Sequence, residues 1–136
     1  MADMRKAFEE VRNMLSGEQS GHGFDHVERV YRLALELAEK EGADKEIVGL
    51  AALLHDCDDY KLAGEEAAEK LPNARRILTM AGADDDMREK VLNIVARMGY
   101  SKSLKGIRPS SLEGKVVSDA DMLDAISVGG IIRCLQ

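Results

Sequence analysis

The sequence predicts an all-α fold, a bundle of about six to seven helices in a single domain covering residues 1–136. Hydrophobic residues make up 45% of the chain but aromatic residues only 4%, with no Trp, so the core has to be aliphatic. The chain contains only two prolines and is rich in the good helix formers Ala, Leu, Glu and Lys. Its apolar residues recur at spacings of three and four, the period of an amphipathic helix.

Three helices are predicted in the first part of the chain. The first covers residues 2–15, and a polar, glycine-rich loop with the sequence SGEQSGHG follows it. Asp25 is the expected cap of the second helix, and Gly42 is its expected C-terminal stop. Asp44 is expected to cap the third helix. The nearly continuous apolar stretch IVGLAALL predicts that this third helix is the buried one.

Four more helices are predicted in the rest of the chain, over residues 64–71, 73–80, 84–98 and 114–135. The acidic triplet of residues 84–86 gives the third of these a negative N-terminus, with Asp86 in the capping-box position. Ser110 is expected to open the last helix, after a loop with the sequence YSKSLKGIRP. No internal repeat or low-complexity segment interrupts this order of helices.

Charge and cysteine content exclude several classes of protein. The chain has 19 Lys and Arg against 25 Asp and Glu, and the net charge of −6 argues against nonspecific nucleic-acid binding. No apolar run approaches the roughly 20 residues that span a bilayer, and the N-terminus MADMRKAFEEV lacks the apolar stretch of a signal peptide. We therefore predict a cytoplasmic protein that does not bind membranes. Cys57 and Cys134 form no CxxC pair, which argues against a thiolate zinc site.

The three histidines of the chain indicate a metal site. His22, His26 and His55 each lie at or beside a predicted helix end, and each has an Asp within three residues. Neutral imidazole and carboxylate together suit divalent ions such as Mn, Fe, Co, Ni or Zn better than Ca, which prefers oxygen ligands alone. The last predicted helix supplies more carboxylates within the stretch VVSDADMLDAI, and burying a carboxylate is costly unless it is paired or binds a metal.

Two simpler interpretations stay open at this point. A histidine on an apolar helix is often a hydrogen-bonded core residue, and a His-Asp dipeptide alone means little. Asp119, Asp121 and Asp124 could equally form one solvated helix face, because spacings of two and three do not force all of them inward.

Three segments in this order, GHGFDHVERV, AALLHDCDDYK and LEGKVVSDADMLDAI, resemble the HD superfamily of metal-dependent phosphohydrolases, named for its His…His-Asp…Asp ligand set. The resemblance covers residues 21–132 and is closest to the small, single-domain branch of predicted HD hydrolases. It implies an HD-domain bundle and one divalent ion (Mn, Fe, Co, Ni, Zn or Mg) with four ligands: His26, His55, Asp56 and Asp121. Asp121 is chosen over Asp119 because it occupies the Ala-Asp-x-Leu position of the family.

The resemblance also implies roles for residues near the ligands. Asp59 lies one turn beyond His55 in the sequence. It is implied as the general acid/base that orients or deprotonates the attacking water. His22 is implied to protonate a leaving oxygen or to bind phosphate. Arg29 fits the His-x-x-Arg-Val pattern of the family and either contacts substrate or orients a neighbouring carboxylate. Lys61 and Lys102 are expected to bring positive charge to a phosphate.

These residues predict a phosphohydrolase that cleaves a small phosphate ester or anhydride, with a nucleotide as the first candidate substrate, by means of a metal-activated water. An alternative is a catalytically inactive regulatory module that binds metal and nucleotide, and another is a purely structural helical domain. Relatives usually continue beyond the last Asp helix, whereas this chain is short there. Its apolar end, at residues 131–135, is a candidate contact for a homo-oligomer.

Overall fold

Six α-helices and no strand are present in the residues that the computed structural model describes, 3–15, 24–55, 71–98 and 111–125. The all-α prediction is therefore confirmed. The helices are α1 (Met4–Leu15), α2 (Phe24–Glu41), α3 (Lys45–Leu54), α4 (Pro72–Met80), α5 (Asp85–Arg97) and α6 (Leu112–Ala125).

Helix α3 is the centre of the fold. Every residue from Ile47 to Leu54 is buried, as the run IVGLAALL predicts, because a helix that is apolar on all sides has no face to present to water. Helices α1, α2, α5 and α6 all pack around it. The predicted cap is confirmed, since the Asp44 carboxylate accepts hydrogen bonds from the backbone N–H of Glu46 (2.9 Å) and of Ile47 (3.3 Å).

Gly49 allows α1 and α2 to approach α3 closely. A Cβ atom at this position would overlap the Met4 Cε atom of α1 and would lie 3.2 Å from Cε1 of Tyr31 in α2. A methyl group here would displace the flexible end of the Met4 side chain and press on the Tyr31 ring, so glycine gives these two side chains room against α3.

Helices α2 and α6 form an extensive contact beside α3. The buried residues of α2 follow a three-four spacing along one face: Val27, Val30, Ala34 and Ala38. The buried apolar residues of α6 are Val116, Val117 and Ala120. Small side chains on both helices let the backbones approach, and this contact brings the first turn of α2 close to the last turns of α6.

Three helix starts differ from the sequence prediction. Asp25 lies within the first turn of α2 and is not its cap. The cap of α5 is Asp84, whose carboxylate accepts from the Met87 N–H at 2.8 Å, and not Asp86. Helix α6 begins at Leu112, two residues before the predicted start, and the Oγ atom of Ser111 accepts from the Gly114 N–H at 3.1 Å, while Ser110 lies outside the described residues. Where several capping residues stand in a row, the one that adopts the extended backbone before the first turn becomes the cap.

Several predicted segments lie outside the described residues. These are the predicted helix over 64–71, except for its last residue, the loop over 100–109 and the part of the last helix beyond residue 125. The homo-oligomer contact at residues 131–135 therefore stays a prediction. Within the described helices, none is both long enough and apolar enough to cross a membrane.

Replacing Leu53 by Ala should lower the free energy of unfolding by about 2–5 kcal/mol, because Leu53 is fully buried in α3 and its removal leaves a cavity. Leu112, which is 43% exposed, is the matched control, and Leu112→Ala should cost about 0.5 kcal/mol or less. Urea denaturation of both variants measures the difference. Equal losses for the two variants would contradict the central position of α3.

Candidate metal centre

His26 lies in the first turn of α2, between two carboxylates of α6. Its Nδ1 atom is 2.7 Å from Oδ2 of Asp124, and its Nε2 atom is 3.0 Å from Oδ1 of Asp121. An ionised carboxylate only accepts hydrogen bonds, so the short contact to Asp124 places a hydrogen on Nδ1. In the neutral ring, the lone pair then lies on Nε2, on the side of Asp121.

His55 approaches the same carboxylate from the C-terminal end of α3. Its Nδ1 atom donates to the carbonyl oxygen of Ala52 at 2.6 Å. That carbonyl is one of the last four of α3, which have no partner within the helix. This one bond therefore caps the helix and fixes the tautomer of the ring. The side chain of His55 is only 4% exposed, and its Nε2 atom lies 3.3 Å from Oδ1 of Asp121.

Asp121 joins the two rings through a single oxygen atom. Its Oδ1 atom faces Nε2 of both histidines, whose ring centroids are 5.6 Å apart with planes inclined by 68°. Burial raises the pKa of Asp121, but hydrogen bonds from His26 and His55 outweigh this effect and hold the pKa below its ordinary value. Because a carboxylate only accepts, these bonds require hydrogen on Nε2 of each ring, and a metal ion bound there would take the place of that hydrogen. Asp121 is therefore a carboxylate at neutral pH.

The three side chains fit a divalent cation. His26, His55 and Asp121 each place one ligand atom within 4.8 Å of the ligand atoms of the other two. Around an ion with metal–ligand bonds of about 2.1 Å, neighbouring ligand atoms stand about 3.0–3.4 Å apart. The separations of 3.0 and 3.3 Å between Asp121 Oδ1 and the two Nε2 atoms match this spacing. Two imidazole nitrogens and a carboxylate oxygen suit Mn, Fe, Co, Ni or Zn.

Asp124 contacts the far side of the His26 ring and is buried, with 7% exposure. Its Oδ2 atom faces Nδ1 of His26, and its Oδ1 atom accepts from Nε of Arg29 at 2.8 Å. Burial raises the pKa of Asp124, but the hydrogen bonds with Arg29 and His26 hold it below its ordinary value. The hydrogen bond to Asp124 in turn raises the pKa of the Arg29 guanidinium.

Sequence reasoning did not single out Asp124, which it grouped with a possible solvated face. The structure overturns that alternative for this residue. A usable signal was present, because Arg29 follows His26 by three residues and Asp124 follows Asp121 by three. Each pair therefore lies on one face of its helix, and two such faces can meet.

The structure describes four of the nine predicted site residues. It brings His26, His55 and Asp121 together and places Arg29 on Asp124, while the rejected candidate Asp119 is exposed. Five others lie outside the described residues and remain predictions: His22, Asp56, Asp59, Lys61 and Lys102.

The order of these side chains along the chain agrees with a known family. A family model described as the HD domain matches residues 23–126, which include all the described residues of the site. The chain belongs to the HD domain family. The HD domain thus covers α2 to α6 and the segments between them.

Similar proteins include YpgQ of Bacillus subtilis (strain 168), an uncharacterized protein that is 40% identical over 127 residues. This match covers 93% of the HD chain and 62% of YpgQ, so the chain spans about three fifths of this relative's length.

Several solved structures are similar to this chain. A protein of Lactobacillus plantarum superposes with a TM-score of 0.81 at 37% identity, over 98% of this chain and 61% of that one. An HD-superfamily hydrolase from Bacillus thuringiensis superposes with a TM-score of 0.73 at 34% identity, over 96% of this chain and 61% of that one. The structure of YpgQ in complex with ADP superposes with a TM-score of 0.70 at 35% identity, over 94% of this chain and 65% of that one.

Asp121→Asn should remove bound metal, whereas Asp119→Asn should leave it in place. The two substitutions change the same charge on the same helix, but only Asp121 faces both imidazoles. Elemental analysis after reconstitution with Mn²⁺ should give about one ion per chain for the wild type and for Asp119→Asn. Equal metal content in all three proteins would contradict the assignment of Asp121 as a ligand.

Proposed function

We propose that this HD-family chain is a metal-dependent phosphohydrolase that cleaves a phosphate ester or anhydride of a nucleotide. The observation that carries this proposal is the convergence of His26, His55 and Asp121 from three helices on one point. Similarity to an HD-superfamily hydrolase supports the hydrolytic reaction.

Charge supports a phosphate substrate. With neutral imidazoles, the carboxylates of Asp121 and Asp124 and the guanidinium of Arg29 leave the described part of the site with one negative charge. A bound divalent ion would offset that charge, polarise a phosphoryl oxygen and make water more acidic. The lysines assigned below would add the positive charge that a phosphate requires. The net charge of the chain is −6, so a phosphate has to be attracted by this local charge and not by the whole surface.

The residues of the site have separate roles in the proposed reaction. His26, His55 and Asp121 would hold the ion, and we assign Asp56, beside His55 in the sequence, as the fourth ligand. Asp59 orients the attacking water and accepts its proton.

The remaining residues contact the substrate. His22 protonates the leaving oxygen or binds a phosphate oxygen. Lys61 and Lys102 bind the phosphate groups by charge-assisted hydrogen bonds. We assign Arg29 to orienting Asp124, which accepts from its Nε atom at 2.8 Å.

The nucleotide is inferred from a relative. YpgQ, at 40% identity, has been solved in complex with ADP. A diphosphate presents several anionic oxygens to a cationic site, which fits the chemistry of this one. We therefore propose a nucleoside di- or triphosphate as the substrate and expect either phosphate or pyrophosphate to be released.

A regulatory module that binds metal and nucleotide without turnover is the second candidate function. The ADP complex of YpgQ favours it as well, since binding a nucleotide does not require hydrolysis. Both candidates predict metal binding and nucleotide binding. Turnover separates them.

Asp59→Asn should lower kcat for nucleotide hydrolysis with Mn²⁺ by about 100-fold or more, because the amide cannot accept the proton of the attacking water. Metal content and ADP affinity should stay close to those of the wild type. Asp58→Asn is the matched control, since it changes the adjacent residue of the same type and should keep most of the activity. Assays of phosphate and of pyrophosphate release, with a panel of nucleoside di- and triphosphates, measure the effect.

Two outcomes would change the conclusion. If the wild type binds Mn²⁺ and ADP but hydrolyses no member of the panel, the regulatory module becomes the better proposal. If Asp59→Asn and Asp58→Asn lose activity equally, the role assigned to Asp59 is wrong.

A further inference from the structure

We propose that Asp124 is a positioning residue that holds His26 in the tautomer able to bind the metal, and that Arg29 holds Asp124 in the orientation required. This inference rests on the metal site of the proposed function and adds two residues to it. Neither residue needs to touch the ion or the substrate.

The two nitrogens of His26 have different roles. A neutral imidazole carries its hydrogen on one nitrogen, and only the other nitrogen can bind a metal. The Asp124 carboxylate, 2.7 Å from Nδ1, can only accept and so retains the hydrogen there. The lone pair of Nε2 is then directed to the side where Asp121 lies at 3.0 Å. Metal-binding histidines commonly have such a carboxylate on their other nitrogen.

Arg29 pairs with Asp124 and orients it. Asp124 is 7% exposed, and a buried carboxylate is costly unless it is paired and hydrogen-bonded. Arg29 supplies the opposite charge through a 2.8 Å bond from Nε to Oδ1 and leaves Oδ2 to His26. Each oxygen of Asp124 thus has its own donor, which fixes the plane of the carboxylate and with it the direction of the His26 ring.

The two histidines differ in the group that accepts from Nδ1. His55 is held in the same tautomer by a neutral acceptor, the carbonyl of Ala52 at 2.6 Å. His26 is held by a charged acceptor from another helix. Because a carboxylate makes its imidazole partner a stronger metal ligand than a carbonyl does, His26 depends on Asp124 for affinity as well as for orientation.

The test compares Asp124→Asn with Asp119→Asn, an exposed acid on the same helix. An amide at position 124 can donate to Nδ1 of His26, which moves the ring hydrogen to Nε2 and removes the lone pair that the metal needs. Isothermal titration with Mn²⁺ should show binding about 10- to 100-fold weaker for Asp124→Asn. Asp119→Asn should stay within about twofold of the wild type, as expected for an exposed residue away from the site.

A second measurement uses only the wild-type protein, so it does not depend on whether Asp124→Asn folds. Long-range ¹H–¹⁵N correlation spectra of the wild-type protein loaded with diamagnetic Zn²⁺ report which nitrogen of each ring carries hydrogen. We expect hydrogen on Nδ1 of His26 and metal on its Nε2. Metal on Nδ1 of His26 would overturn the proposal.

The outcomes also separate this inference from the proposed function. If the wild type binds Mn²⁺ but hydrolyses no nucleotide, the proposed function fails and the positioning role stands. If Asp124→Asn binds Mn²⁺ as tightly as Asp119→Asn does, the positioning role fails and the hydrolase proposal stands. If the wild type binds no ion at all, both are overturned.

Discussion

One carboxylate oxygen constrains how three helices meet. Oδ1 of Asp121, on α6, lies 3.0 Å from Nε2 of His26 on α2 and 3.3 Å from Nε2 of His55 at the end of α3. Polar groups removed from water are stabilised by partners, so this cluster favours the packing of α2, α3 and α6 that keeps these atoms together. The apolar contacts between the helices provide most of the stability, and the polar cluster specifies one arrangement.

The core and the site are connected through α3. The same apolar run that makes α3 the most buried helix ends directly at His55, so a rigid central element holds the ring. The C-terminal end of a helix carries a partial negative charge, which favours a cation near His55. The hydrogen bond from His55 to Ala52 links these two properties, since it satisfies a helix carbonyl and also orients the ring towards Asp121.

Much of the fold could be predicted because it depends on local patterns. The helical spacing, the fully apolar IVGLAALL run and the cap at Asp44 each follow from neighbouring residues alone. The starts of α5 and α6 were misplaced because acidic or hydroxyl residues stand side by side there, and the backbone conformation, set by packing, selects one of them. Asp25 was misplaced for a similar reason, since an acidic residue is equally favourable inside the first turn.

The site was predicted unevenly for the same physical reason. The order of His26, His55 and Asp121 along the chain matched a family pattern, so they could be found without knowing how the helices pack. The role of Asp124 depends on which face of α6 meets α2, and no pattern within α6 alone distinguishes a buried Asp124 from a solvated one. Only the paired contact with Arg29 and His26 does so.

The most direct test of the account is anomalous diffraction from crystals of the protein grown with Mn²⁺. The account predicts one strong anomalous peak within bonding distance of Nε2 of His26, Nε2 of His55 and an oxygen of Asp121. A peak bound by other residues, or the absence of any peak at this cluster despite Mn²⁺ in the crystal, would contradict it.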